Sequence, residues 1–324
     1  MMEQLGVLPG TPCGAEVKLG GVDCYVTAPK TTSCDTTKAL VYVPDQFGWR
    51  FGPQRVVADH LAEQLGVTVL LVDVHAGDCV DTRPFNYMSA TPPSWMSVDV
   101  HKALVEGYRT AAALWITPRM LVWGFHHLAD VETTLQPLRS VMRAARQPQA
   151  AGGLGFQKIA VMGAAGLPAR AAFALGGADA GACADACVIV QPGKLSDSER
   201  GEVAKLRVPS LWIIQSPADP AMNAAQRVDV ESILEQRSAA RRAYTCYAEV
   251  PETYLLVADT REEMQRYKPD VAAKCALTRD STKAALAEVI GFLRERFLPD
   301  AVVSDTSATI VQQGDASNVA TKSE

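Results

Sequence analysis

The chain has 324 residues, of which 48% are hydrophobic and 21% are charged, and its formal net charge is −5. This is the composition of an ordinary globular protein with enough length for a large core. The acidic balance argues against the basic surface that nucleic-acid binding needs, so we expect no nucleic-acid partner. No stretch approaches the roughly 20 continuous apolar residues of a membrane-spanning helix, so we expect no membrane association.

The N-terminal residues and the cysteines predict where the protein works. The first residues lack a basic segment followed by a long apolar run, so we expect no secretory signal. The eight cysteines are scattered along the chain, and we interpret them as reduced thiols of a cytoplasmic protein. The adjacent His126 and His127 would point to different faces of a helix. We therefore predict no metal ion, and we predict no cofactor.

In chain order, the hydrophobic periodicity predicts strands that alternate with helices. Such alternation is typical of the α/β class, with a mostly parallel sheet that is covered by helices on both faces. The predicted elements are a hairpin over 16–27, a polar loop over 31–37, a strand over 39–43, a helix over 54–65, a strand over 67–74, a polar excursion over 76–97, helices over 98–115 and 130–146, a strand over 158–162, a helix over 169–175, strands over 186–190 and 210–214, a helix over 224–236, a strand over 244–250 and a helix over 282–297.

The predicted elements make one domain over residues 1–297. Residues 298–324 are rich in Ser, Thr, Asp, Gln and Ala, contain no aromatic residue and show no sustained periodicity. Such a segment buries too little apolar surface to fold, so we expect a disordered tail.

The segment 158–170, KIAVMGAAGLPAR, is the most informative part of the chain. An apolar strand runs into Gly163, and a helix of small residues follows through Pro168. This is the layout of a nucleophile elbow, the strand-to-helix turn that presents Ser or Cys above a hydrolase sheet. Ala165 stands where the nucleophile should be, and a methyl group cannot attack a carbonyl.

Several segments together resemble the dienelactone hydrolase family, also called carboxymethylenebutenolidases. The resemblance covers roughly residues 16 to 297, with the segments in the family's order, and it implies an α/β-hydrolase fold. The segments that carry it are LVYVPDQFGW at 40–49, VADHLA at 57–62, KIAVMG at 158–163, the strand and loop at 210–220 and YAEVPETY at 247–254.

In that family a Cys attacks an ester or lactone carbonyl, a His removes its proton and an Asp orients the His. The resemblance places Ala165 at the nucleophile, Asp219 at the acid and Glu252 at the base. No His follows His127, and no Ser or Cys lies within 154–180. Two of the three catalytic groups are therefore absent.

The resemblance also implies four candidate ligand-binding residues. Asp45 and Gln46 belong to the loop after the first core strand, and Tyr254 takes the place of the family's Phe. The N–H of Gly166, the residue after the nucleophile position, would still be available as an oxyanion donor.

Two functions follow from these residues. The first is a catalytically inactive, dienelactone-hydrolase-like protein that acts as a binding or scaffolding subunit. Its candidate partners are a small carboxylate or ester ligand, another protein or a larger assembly. The alternative is a carboxylic ester or lactone hydrolase with a non-standard site, in which Asp219 and Glu252 would activate a water molecule. Like-charge repulsion would raise the pKa of one of these two carboxyl groups.

Overall fold

The computed structural model describes most of the chain that forms the sheet and its covering helices. The described residues are 11–30, 34–45, 48–50, 52–79, 131–164, 166–177, 183–215, 224–235, 243–247 and 269–299. The helix predicted over 98–115 and the part of the predicted tail beyond 299 lie outside the described residues.

The described residues form one eight-stranded sheet with the order β1-β2-β4-β3-β5-β6-β7-β8. Strands β1, β2 and β4 pair antiparallel, and every pairing from β4 through β3 to β8 is parallel. The strands are β1 Ala15–Leu19, β2 Val22–Thr27, β3 Asp35–Val43, β4 Val67–Val72, β5 Lys158–Ala164, β6 Ala186–Val190, β7 Ser210–Gln215 and β8 Ala243–Tyr247.

Helices cover both faces of this sheet, as the alternating pattern predicts. They are α1 Gly52–Leu65, α2 Val131–Arg146, α3 Leu167–Gly176, α4 Asp197–Lys205, α5 Ala224–Glu235 and α6 Pro269–Arg296. A short 3₁₀ turn at Gln149–Ala151 follows α2. No helix in the described part of the chain is long and apolar enough to cross a membrane.

Two buried clusters, one on each side of the sheet, form the core. One cluster joins the sheet to α2 and α3, and in it the rings of Phe173 and Trp212 stack with centroids 5.6 Å apart. The other joins the sheet to α1 and α6 through side chains such as Leu61, Val289 and Leu293. Strand β5 is central to both clusters because its alternate residues face opposite sides.

Two predicted boundaries were wrong, and one helix was missed. Residues 35–37 are not loop, because β3 begins at Asp35 and reaches the apolar run at Ala39 through a register shift. The last helix begins at Pro269 rather than at 282. Helix α4 was not predicted, because Val203 is its one buried residue and it has almost no apolar periodicity.

Candidate functional site

The turn between β5 and α3 has the close packing that an elbow requires. A Cβ atom on Gly163 would lie 2.0 Å from the carbonyl oxygen of Pro168 and 2.8 Å from the nitrogen of Ala169. Only a glycine permits the first turn of α3 to approach the strand so closely. Pro168 lies in that first turn, where its missing N–H costs no helical hydrogen bond.

Gly166 carries the unusual backbone of this turn. Its φ of 66° and ψ of −122° place it in a region that residues with a Cβ atom rarely adopt. It lies directly before α3, and its carbonyl oxygen accepts the first helical hydrogen bond from the Arg170 N–H at 3.0 Å. Apart from its chain neighbours, no heavy atom of the described residues lies within 4 Å of the position where its Cβ would be.

The Gly166 N–H is already used inside the protein. It donates to the carbonyl oxygen of Gln191 at 2.9 Å, and the Gln191 N–H in turn donates to the carbonyl oxygen of Ile213 at 2.8 Å. Gln191 adopts φ 50°, so its backbone is turned out of the extended conformation immediately after β6. The Gly166 N–H is therefore bonded within the protein in this structure, and its role toward a ligand oxygen stays a prediction.

Two of the remaining site residues lie beyond strands that end at the same edge of the sheet. Strand β7 ends at Gln215 and β8 ends at Tyr247, and both run parallel to β5. Asp219 and Glu252 follow these strands in the sequence, so we predict that they lie at the carboxyl edge, where open α/β sheets bind ligands. Ala165, Gln46, Asp219, Glu252 and Tyr254 themselves lie outside the described residues, and their placement stays a prediction.

The loop after β3 holds Asp45 deep in the protein, with 1% of its surface exposed. Its carbonyl oxygen accepts the Gly48 N–H at 3.0 Å, and the Nε2 atom of His75 lies 3.3 Å from the same oxygen. Below it, the Tyr42 hydroxyl donates to the side-chain oxygen of the buried Gln54. Burial, together with the Asp45 charge, holds the pKa of Tyr42 well above its usual value.

The end of β4 adds polar residues that the sequence analysis missed. Asp73 and His75 are buried, and Cys79 is partly buried. The Cys79 sulfur lies so close to Gly48 that a Cβ there would be 2.0 Å away. The one sequence signal was the apolar strand that ends in an acidic residue at Asp73.

Cys79 does not replace the missing nucleophile. Burial, together with the charges of Asp73, Asp78 and Asp45, raises the pKa of its thiol to about 12. Since the thiolate is the nucleophilic form, a thiol in this environment is inert near neutral pH.

Comparison with known proteins gives structural neighbours only. No protein-family model matches the chain, and no curated protein matches it. Among solved structures, Thermogutta terrifontis esterase 2 phosphoramylated by tabun is 14% identical, covers 89% of this chain and 96% of its own, and has a TM-score of 0.51. A Klebsiella pneumoniae protein provisionally assigned as a dienelactone hydrolase is 14% identical over 82% of this chain and 98% of its own, with a TM-score of 0.49.

The sheet order and the esterase neighbour agree on the architecture. The chain has the α/β-hydrolase fold. The identity is low, so this likeness extends to the fold and leaves the chemistry to be argued from the site.

In an α/β-hydrolase fold the elbow must supply a nucleophilic atom and an oxyanion donor. Within the described part of this elbow, Ala164, Gly166 and Leu167 supply no nucleophilic atom. The N–H of Gly166, the donor that the resemblance implies, is bonded to the carbonyl oxygen of Gln191. This hydrogen bond ties the turn to the residue that follows β6.

Proposed function

We propose that this chain is a dienelactone-hydrolase-like protein without hydrolytic activity that serves as a binding or scaffolding subunit in the cytoplasm. The observation that supports it most strongly is the hydrogen bond from the Gly166 N–H to the Gln191 carbonyl at 2.9 Å. An oxyanion donor contributes to catalysis only when it points at the developing negative charge.

The sequence supports the same proposal independently. The position that resembles the family's nucleophile is Ala165, and the position of its base is Glu252. A reaction of this type needs a nucleophile that is activated by a base within hydrogen-bond reach. The loss of nucleophile, base and donor together leaves no step that could form an acyl intermediate.

Between a protein and a small carboxylate at the elbow, we infer that a protein is the better candidate partner. A carboxylate at Asp45 and Gly166 would meet a buried acidic side chain and an N–H that is already bonded. Like charges at close range disfavour such a complex. We therefore propose that another protein, or a larger assembly, is the partner of this fold.

The first experiment measures hydrolysis of p-nitrophenyl esters and lactones by the purified protein. We expect no turnover above that of heat-denatured protein. Turnover that is lost in both the E252Q and D219N variants would overturn the proposal and establish the alternative hydrolase with an activated water.

An engineered variant tests why the activity is missing. The A165C/E252H variant restores a thiol and an imidazole at the positions that resemble the family's, and A164C/E252H is its control with the thiol one residue away. We expect both to be inactive, because the Gly166 N–H remains bonded to Gln191. Activity of A165C/E252H alone would show that this N–H becomes available when substrate binds.

The scaffolding part is tested separately from the activity. The native size of the protein in a cell extract is compared with its chain mass of 34.7 kDa. We expect elution well above that mass in the extract and a smaller size after purification. Elution at the single-chain mass in both samples would contradict a subunit role.

A further inference from the structure

The outermost strand of the sheet, β1, has an open edge. It pairs with β2 on one side and has no strand on its other side among the described residues. The residues from Ala15 to Lys18 are exposed, and Val17 is a large hydrophobic residue with 40% of its surface exposed. Such an edge offers unpaired N–H and C=O groups to another strand.

The hydrogen bonds of the neighbouring strand show which groups this edge offers. In an antiparallel pair, residues opposite each other either bond to each other or both turn their backbone groups away, and the two cases alternate. The Asp23 carbonyl oxygen accepts the Asp73 N–H at 2.9 Å, so Asp23 turns toward β4. Lys18 lies opposite Asp23, so the N–H and C=O groups of Lys18 point away from β2. Those of Glu16, two residues earlier, point the same way.

The sequence of β1, AEVKL, is complementary to itself in the antiparallel direction. With a two-fold axis at Val17, Glu16 lies opposite the partner's Lys18, and these outward-facing residues form the hydrogen-bonded pairs. The neighbouring registers that also pair outward-facing groups place Glu16 opposite the partner's Glu16, or Lys18 opposite the partner's Lys18. Like charges directly opposite each other are unfavourable, so the charge pattern favours the register centred on Val17.

The ion pairs that β1 makes within the chain are compatible with this contact. Arg55 donates to one carboxylate oxygen of Glu16 at 2.7 Å, and Lys18 lies 3.5 Å from the carboxylate of Asp23. The Glu16 and Lys18 side chains remain 51% and 66% exposed. A carboxylate accepts several hydrogen bonds and an ammonium group donates several, so each side chain can add a partner across the axis.

We propose that two copies of this chain associate through their β1 edges, as antiparallel strands related by a two-fold axis at Val17. The two sheets then form one continuous sheet, and the same surface serves both copies, as in a closed dimer. The contact is short and its charge pairs are exposed, so the dimer is weak and becomes weaker as salt is added. Strands β2, β4 and β3 separate β1 from the elbow strand β5, so this association is independent of the proposed loss of hydrolytic activity.

Sedimentation velocity of the purified full chain, over a range of concentrations at low ionic strength, measures the association. We expect the mass to rise with concentration from 34.7 kDa toward twice that value. K18E places Glu opposite Glu on both sides of the axis, and E16K places Lys opposite Lys. Each variant should therefore raise the dissociation constant roughly tenfold or more. An equimolar mixture of the two variants should associate as the wild type does, because every opposed pair again has opposite charges.

The matched control is K205E, which makes the same charge change at a lysine of α4. The Lys205 side chain is also 66% exposed and also pairs with an acidic residue, Glu202, so this variant should associate like the wild type. Thermal unfolding of each variant checks that its fold is intact.

Backbone hydrogen exchange locates the contact. Exchange at Glu16 and Lys18 should slow as the concentration rises, because their N–H groups become bonded to the second copy. The Val17 N–H points toward β2, so its exchange should not depend on concentration.

Three results would overturn the inference. A single-chain mass at every concentration would leave this edge to the chain's own N-terminal residues or to a different protein. Association that K18E and E16K leave unchanged would place the contact elsewhere on the molecule. A mixture of K18E and E16K that does not associate would exclude the register centred on Val17. These measurements use purified protein alone and involve no ester, so this inference and the proposed function fail separately.

Discussion

Replacing Gly163 by alanine tests whether the elbow depends on the close approach of α3 to β5. The added Cβ would meet the Pro168 carbonyl oxygen at 2.0 Å, its carbonyl carbon at 2.5 Å and the Ala169 nitrogen at 2.8 Å. All three atoms belong to the backbone of α3, so no side chain can rotate away. Gly163 is not among the residues with positive φ, so the penalty is steric alone.

The magnitude follows from the kind of atom that is displaced. Overpacking a core costs typically 1–3 kcal/mol, and backbone contacts that force a helix to move lie at the upper end, at about 3 kcal/mol. For a chain of this size each kcal/mol lowers the melting temperature by about 2 °C. We therefore expect G163A to melt roughly 6 °C below the wild type.

Thermal and urea unfolding, followed by circular dichroism, measure this loss. The matched control is G201A, because Gly201 lies in α4 and a Cβ there would meet no atom within 4 Å. Alanine is a better helix former than glycine, so G201A should gain about 0.5–1 kcal/mol. A G163A variant as stable as the wild type would refute the argument that this glycine exists for close packing.

Three further predictions concern charged groups and thiols. Burial and the charges of Asp23 and Asp73 raise the pKa of Cys24 from 9.0 to about 12. The stability that this thiol contributes is therefore present below pH 9 and is lost as the pH rises toward 12. Urea unfolding across this range should show a shallower decline of the free energy of unfolding in C24A than in the wild type. Burial by itself would raise the pKa of Glu199, but hydrogen bonds from Ser196 and the Arg170 charge hold that pKa below its usual value. The stability that the ionised Glu199 contributes is therefore present near neutral pH and is lost on acidification below about pH 4. In E199Q the free energy of unfolding, measured with urea, should depend less on pH in this acidic range. Arg146 donates to Asp185 at 2.7 Å and to the carbonyl oxygens of Cys183 and Gln157 at 2.9 and 2.7 Å. A lysine cannot reach three acceptors at once, so R146K should lower the free energy of unfolding by about 1–2 kcal/mol. An unchanged free energy of unfolding in urea would contradict this.

The sequence predicted the sheet well because the central strands carry their own signal. Strands β4, β5 and β6 are continuous apolar runs, as expected for strands buried on both faces, and each was predicted within two residues of its observed ends. The start of β3 at Asp35 was missed because its first residues are polar and largely exposed. Register there depends on pairing with β4 and β5, which a local pattern does not contain.

Helix α4 shows a signal that was present but unused. Ser196 accepts a hydrogen bond from the Glu199 N–H at 3.3 Å, and the Glu199 carboxylate accepts the Ser196 N–H at 2.7 Å. This reciprocal pair is a capping box, and Ser-x-x-Glu is readable from sequence. Apolar periodicity failed here because a surface helix with one buried residue has no apolar face.

The candidate site was predictable in part. The residue types at the elbow revealed the missing nucleophile, and the order of the segments indicated the fold. The engagement of the Gly166 N–H was not predictable, since it depends on where the Gln191 carbonyl lies after β6. The residues at the end of β4 were missed because Asp73 comes next to Asp23 only through the antiparallel pairing of β2 with β4.

The backbone of the elbow is compatible with the proposed loss of hydrolytic chemistry. A residue with a Cβ atom in the strained backbone of such a turn costs of order 1–3 kcal/mol, which active enzymes accept for catalysis. Here the residue with that backbone is Gly166, which has no Cβ to strain. Its N–H makes a hydrogen bond within the fold. Under the proposed loss of hydrolytic activity, both features favour stability over reactivity. Gly163 serves the fold as well, because the first turn of α3 packs directly against it.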